Sequence, residues 1–271
     1  MNIHYHGKKE GGQYMKLIYA TDLDRTLIFS KRFISENKSN TDKTVVERRE
    51  NGDVISYMSN NVMAQLKEID NNDSLTIVPV TTRSIKEYNR IELPIVPKYA
   101  ILDTGGTILE NGEPIKEYEE YIQKNTNKFE MMQCVLDISE MHSINRDCKL
   151  IDNKYIFNKT MNPELFDKEV ELIAHEYSSL EFTRHGNKVY VIPKCFNKAI
   201  ALRWLYHYIK ADTIVASGDS ELDLPMLAIA NYATIPNHGV LIKEGYVTHG
   251  RIIEGGIDSP LETIKLIKDL V

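Results

Sequence analysis

Four apolar runs in this chain end alike, in small polar or acidic residues. The run Leu17–Ala20 leads into Thr21-Asp22-Leu23-Asp24, and Ser74–Val80 into Thr81-Thr82-Arg83. Tyr99–Leu102 leads into Asp103-Thr104-Gly105-Gly106, and Thr213–Ala216 into Ser217-Gly218-Asp219-Ser220. Short apolar runs of this kind suit strands buried on both faces, as in a parallel sheet covered by helices. The first of these strands is expected over Lys16–Leu23. Helical patterns lie between the runs: one from Ser59, with Val62, Met63, Leu66 and Ile69 on one face, and one over Lys198–Ile209. The alternation predicts an open, mostly parallel α/β sheet made by both ends of the chain. In such sheets ligands bind beyond the carboxyl ends of the strands, so the polar clusters are expected to meet at one site.

Between the two ends the pattern changes. Thr44–Met58 is expected to form two strands around Asn51-Gly52, a strong hairpin signal. Its charge run, Glu47-Arg48-Arg49-Glu50, is expected to be a solvated face, with a role in closing over substrate as the alternative. Glu113–Ile138 has the pattern of a long, charged amphipathic helical region. Lys149–Phe157 holds two short strands around Asp152-Asn153. Pro163–Tyr177 is a helix that Asn162 can cap, with proline at its first position. Leu180–Ile192 alternates as a second hairpin around Gly186-Asn187. The expected organisation is a disordered leader over 1–14 with Met15 a candidate start, a main α/β unit over 15–112 and 193–271, and an α+β module over 113–192.

The 271 residues suffice for a large core and a smaller second unit. A formal charge of −6 argues against a nucleic-acid partner. The three cysteines, Cys134, Cys148 and Cys195, form no CxxC pair, which points to reduced thiols in a cytoplasmic protein and to no zinc site. No apolar run approaches the roughly 20 residues of a membrane helix, so no membrane role is expected.

Burying carboxylates without partners is costly. Asp22, Asp24, Asp219 and Asp223 gathered at strand ends therefore call for a cation. All-oxygen ligands with few carboxylates suit Mg²⁺, which in turn attracts phosphate oxygens. Lys198 supplies a second positive charge, and hydroxyls such as those of Thr81 and Thr82 can hold the remaining oxygens. Asp22 and Asp24 are two residues apart and cannot do the same work. One could attack phosphorus while the other protonates the leaving alcohol and later deprotonates water.

These motifs resemble the haloacid-dehalogenase-like superfamily. ATDLDRTLI resembles its first motif, Thr81 in VPVTTR its second, Lys198 in FNKAIALRWL its third, and SGDSELDLPML its fourth. The position of the inserted module resembles subfamily IIB, which contains the Cof-type, sucrose-phosphate and mannosyl-3-phosphoglycerate phosphatases. The resemblance implies a Rossmann-like core with an α+β cap over 113–192; the stretch after Thr26 is longer than the family pattern and holds the 44–58 hairpin, which could act as a flap over the site. It implies Asp22 as nucleophile and Asp24 as general acid/base. Mg²⁺ would be held by the Asp22 carboxylate, the Asp24 carbonyl and Asp219, with Asp223 in support. Thr81 and Lys198 would hold the phosphoryl group; Thr82 and Arg83 are further candidate substrate contacts, with an ion pair as the alternative for Arg83. The implied activity is hydrolysis of a small phosphorylated metabolite, such as a sugar phosphate, through an aspartyl-phosphate. The alternatives are a phosphotransferase or mutase, or a regulator that binds phosphometabolites without turnover. Leu222 stands where many relatives carry Asn, and Thr82 where Cof-type relatives carry Gly.

Overall fold

The computed structural model describes residues 15–37, 40–144, 148–246 and 248–271. The leader expected at 1–14 lies outside them. Leu17–Thr21 is flanked on both sides in a five-stranded parallel sheet, in the order Arg251–Ile253, Tyr232–Pro236, Thr213–Ser217, Leu17–Thr21, Leu75–Pro79. All five residues of this strand are buried. Side chains alternate between the two faces. Ile18, Ala20, Ile214 and Val78 pack with Ala201, Leu202 and Leu205 of the helix Lys198–Tyr208. Leu17, Tyr19, Val215 and Ile77 pack with Val62, Leu66 and Ile69 of the helix Asn60–Asp70, and with Ile264 and Ile267 of the helix Pro260–Leu270. Each large apolar side chain buried here contributes about 1.5–3 kcal/mol relative to remaining exposed. Pro79, which has no N–H to give, sits on the strand that ends this sheet, and the next amide, Val80, donates to the Thr21 carbonyl at 2.8 Å.

Tyr99–Leu102 continues the parallel sheet through a parallel bridge from Ile101 to Val80, with the Thr81 N–H donating to the Ile101 carbonyl at 2.8 Å, while its ladder is antiparallel, with Thr107–Glu110. That strand turns at Asn111 and Gly112, both at positive φ, and pairs with Glu113–Pro114. The expected long helical region is two helices, Lys116–Asn125 and Lys128–Glu140, broken at Thr126-Asn127 because the Asn127 side chain accepts from the Glu130 N–H and starts the second.

A four-stranded antiparallel sheet follows, in the order Leu180–His185, Lys188–Pro193, Tyr155–Lys159, Lys149–Ile151. Val189 and Val191 pack with Met131, Cys134, Ile138 and Phe166 of its helices. Tyr155, Tyr190 and Ile192 join the cluster of the parallel sheet instead. The helix Lys116–Asn125 belongs to that cluster too, with the Tyr118 and Trp204 rings 5.1 Å apart. The Tyr121 hydroxyl donates to the Cys195 carbonyl at 3.2 Å, and the Thr126 hydroxyl lies 3.5 Å from the Cys195 sulfur.

The expected hairpin forms from Lys43–Arg48 and Val54–Ser59, with Gly52 at φ +85° in its turn. Among the described residues, no helix is long and apolar enough to cross a membrane.

Candidate active site

The carboxyl end of Leu17–Thr21 delivers Asp22, whose N–H donates to Ser217 on the neighbouring strand at 2.9 Å. Its carboxylate is 2.6 Å from the ammonium of Lys198, at the first turn of its helix. The same ammonium lies 2.6 Å from Asp223 Oδ1. Lys198 is 1% exposed. Burial opposes its charge, yet the two carboxylates outweigh that and push its pKa up. Asp22 is pushed well above the usual carboxylate range, first by burial and then by Asp223, Asp219 and Asp24, with Lys198 acting against them.

Asp223 Oδ2 accepts from the N–H groups of Asp219 and Ser220 and from the Ser220 hydroxyl, each at 3.0 Å. Both its oxygens are thus engaged, and the loop that carries Asp219 is fixed by them. Among the described residues, Asp22, Asp219 and Asp223 form a buried group whose ligand atoms lie within 4.8 Å of one another. Arg25, at φ +65°, places its Nε 3.4 Å from Asp219 Oδ2 and donates from Nη2 to the His238 carbonyl at 3.1 Å. Gly256 N–H donates to His238 Nδ1 at 3.0 Å, so Nε2 carries the ring proton and donates to the Arg25 carbonyl at 2.7 Å.

Asp24 faces elsewhere. Its carboxylate accepts two hydrogen bonds from Arg83, Nε at 2.7 Å and Nη2 at 2.8 Å, and remains half exposed. The surrounding protein raises its pKa, but the Arg83 hydrogen bonds and charge override this and hold it below the usual value. The other edge of Arg83 meets Glu47 at 2.7 and 3.0 Å. Glu47 is 1% exposed, so the expectation of a solvated face fails at this residue.

Thr81 is buried, and its hydroxyl oxygen accepts from the Arg83 N–H at 3.2 Å. Thr82 is half-buried, and its carbonyl accepts from the Tyr155 hydroxyl of the antiparallel sheet at 3.0 Å. Gly105 lies against the backbone of Asn197, at the start of the helix that presents Lys198. Asp103 is wholly buried, and it bonds Thr107 and lies 3.5 Å from Lys154 of the antiparallel sheet.

A family model for sucrose-6F-phosphate phosphohydrolase matches residues 15–240. The chain belongs to this family. No curated protein matches it. Its fold is that of the sucrose-phosphatase from Synechocystis sp. PCC6803, solved with sucrose and phosphate: TM-score 0.66, 14% identity, 94% of this chain and 99% of that one. A phosphatase of the haloalkanoate superfamily from Bacteroides thetaiotaomicron matches with a TM-score of 0.59 at 16% identity, over 97% and 99% of the two chains. A subclass IIB sugar phosphatase matches with a TM-score of 0.60 at 12% identity, over 94% and 99%. This sucrose-phosphatase family member is therefore a phosphoric monoester hydrolase of the haloacid-dehalogenase type.

In this family member the structure brings Asp22, Lys198, Asp219 and Asp223 into direct contact or near it, and sets Asp24 and Arg83 beside them. Sequence reasoning named Glu47 only within a charge run expected to be solvated, with closure over substrate as the alternative, and assigned no role to Arg25 or His238. Arg25 stands between Asp24 and Thr26, which is a visible signal. His238 and Glu47 carry none.

Proposed function

We propose that this enzyme hydrolyses a small phosphomonoester, a sugar phosphate or related metabolite, through an aspartyl-phosphate on Asp22 with Mg²⁺ bound. The reading rests above all on the buried Asp22 carboxylate beside Lys198, Asp219 and Asp223. Three buried carboxylates with one lysine leave an acidic excess that suits a hard divalent cation. Asp22 and Asp219 would hold the ion with the Asp24 carbonyl, and Asp223 would brace them. Mg²⁺ would neutralise phosphoryl charge.

Asp22 attacks phosphorus, and the bond to the leaving oxygen breaks as Asp24 gives that oxygen a proton. Water then loses a proton to Asp24 and attacks phosphorus, which releases Asp22 and inorganic phosphate. Lys198 steadies the charge on the phosphoryl oxygens, and Thr81 and Thr82 provide further donors. To act as an acid Asp24 must leave Arg83, because that pair favours its charged form. The antiparallel sheet and its helices, 113–192, act as a cap over the core of 15–112 and 193–271 and enclose the leaving group. The three free thiols suit the cytoplasm.

The sucrose and phosphate bound by the Synechocystis enzyme make sugar phosphates the first class to test. Phosphate release would be measured across a sugar-phosphate panel with Mg²⁺, for the native enzyme and Asp22→Asn. The variant is expected to be inactive; equal activity would remove Asp22 from the mechanism.

A further inference from the structure

Val46 and Glu47 are consecutive strand residues, and both are 1% exposed. Successive side chains of a regular strand point to opposite faces, so burying both residues needs either a cover on each face or a break in the regular pattern. The register between the hairpin strands slips on each side of Glu47. That irregularity, a β-bulge, aims Glu47 inward. There its carboxylate accepts from Arg83 Nη1 and Nη2 at 2.7 and 3.0 Å, from Arg90 Nη2 and Nε at 3.2 and 3.3 Å, and from the Ser56 hydroxyl at 3.0 Å. The hairpin is itself docked, since the Glu92 N–H donates to the Val46 carbonyl at 2.7 Å.

Arg83 therefore lies between two carboxylates. One edge of its planar fork holds Asp24 and the other holds Glu47. Because the guanidinium is rigid, the plane fixed by Glu47 is the plane offered to Asp24. Glu47 also shares the positive charge, which keeps Arg83 from gripping Asp24 as an undivided ion pair.

We propose that Glu47 is a positioning residue for the reaction, acting through Arg83 to set the direction of Asp24 and its release toward the leaving oxygen. This rests on the acid role proposed for Asp24. A role through the proton donor has a signature that a merely structural role lacks. A leaving group that departs readily as an anion needs little protonation, whereas a more basic one depends on it.

The test compares kcat/KM, which reports the steps up to departure of the leaving group, on 4-nitrophenyl phosphate and on phenyl phosphate for the native enzyme, Glu47→Gln, Asp24→Asn and the double variant. Glu47→Gln puts an amide donor against a guanidinium and breaks one fork. It is expected to lose about tenfold or more in kcat/KM on phenyl phosphate and less than about threefold on 4-nitrophenyl phosphate. Added to Asp24→Asn it should cause no further loss on phenyl phosphate. Equal losses on both substrates, no loss on either, or additive losses in the double variant would overturn the proposal. An Asp24→Asn variant with no leaving-group bias would instead overturn the role of Asp24, and the inference with it. If Glu47→Gln does not fold, Arg90→Gln loosens Glu47 without touching Arg83. It should show the same bias at smaller size, and its absence would equally count against the proposal.

Discussion

Gly105 offers a measurement of how tightly the strand-end loops brace Lys198. It stands at φ +101°, and a Cβ there would lie 2.3 Å from the Asn197 carbonyl oxygen, 2.5 Å from its carbon and 3.1 Å from the Lys198 nitrogen. These are backbone atoms of a capped helix start. The Asn197 side chain accepts from the Ile200 N–H at 2.9 Å, and its carbonyl accepts from the Ala201 N–H at 3.1 Å. They cannot retreat without displacing the cap and Lys198 with it. Gly105→Ala therefore carries two costs, about 1–3 kcal/mol for the backbone conformation and about 1–3 kcal/mol for overpacking. At roughly 2–4 °C per kcal/mol for a chain of this size, the melting temperature should fall by roughly 4–24 °C. Gly52→Ala is the control: φ is +85°, but nothing lies within 4 Å of its Cβ. Only the first cost applies there. The assay is thermal unfolding of both variants by circular dichroism, with phosphate release measured alongside. If Gly105→Ala melts no lower than Gly52→Ala, the close approach of the loop to Asn197 is refuted.

Lys198→Met leaves Asp22 and Asp223 facing one another without their shared cation. Breaking a buried pair in this way costs about 3–5 kcal/mol, to be read by denaturant unfolding, and phosphate release should fall by about 10²-fold or more. A loss below about 1 kcal/mol would show that these carboxylates do not depend on the lysine. Burial pushes the His238 pKa below its ordinary value, so the unfolded chain binds the extra proton more readily. Stability is then complete above the unfolded value of about 6.5 and declines as pH falls below it toward the folded value. Melting curves at pH 7.5 and 5.5 should show a drop that shrinks in His238→Asn; an equal drop in both proteins would assign it to other groups.

The parallel strands and the polar residues at their ends were legible because burial on two faces leaves near-continuous apolar runs, and because Asp22, Lys198 and Asp219 follow such runs or open a helix. The hairpin at Asn51-Gly52 was legible from its turn. The same signal at Asn111-Gly112 marks the Thr107–Pro114 hairpin and was not used, and the break before Lys128 is marked by Asn127 with Glu130 three residues on. Glu47 was not legible. An acidic residue in a run of alternating charges looks solvated unless the register slip that turns it inward is known, and a bulge depends on the partner strand. The pairing of Arg83 with Asp24 and Glu47 joins residues 59 and 36 positions apart, which local pattern does not encode.

The helix Lys116–Asn125 packs with Trp204, while the helix that follows it packs under the antiparallel sheet. The chain leaves one body at Thr126 and comes back to it at Cys195, and these two crossings touch. Any swing of the outer sheet about these crossings must also break the Tyr155–Thr82 hydrogen bond and part Lys154 from Asp103, so opening the site has a cost set by contacts far from the hinge.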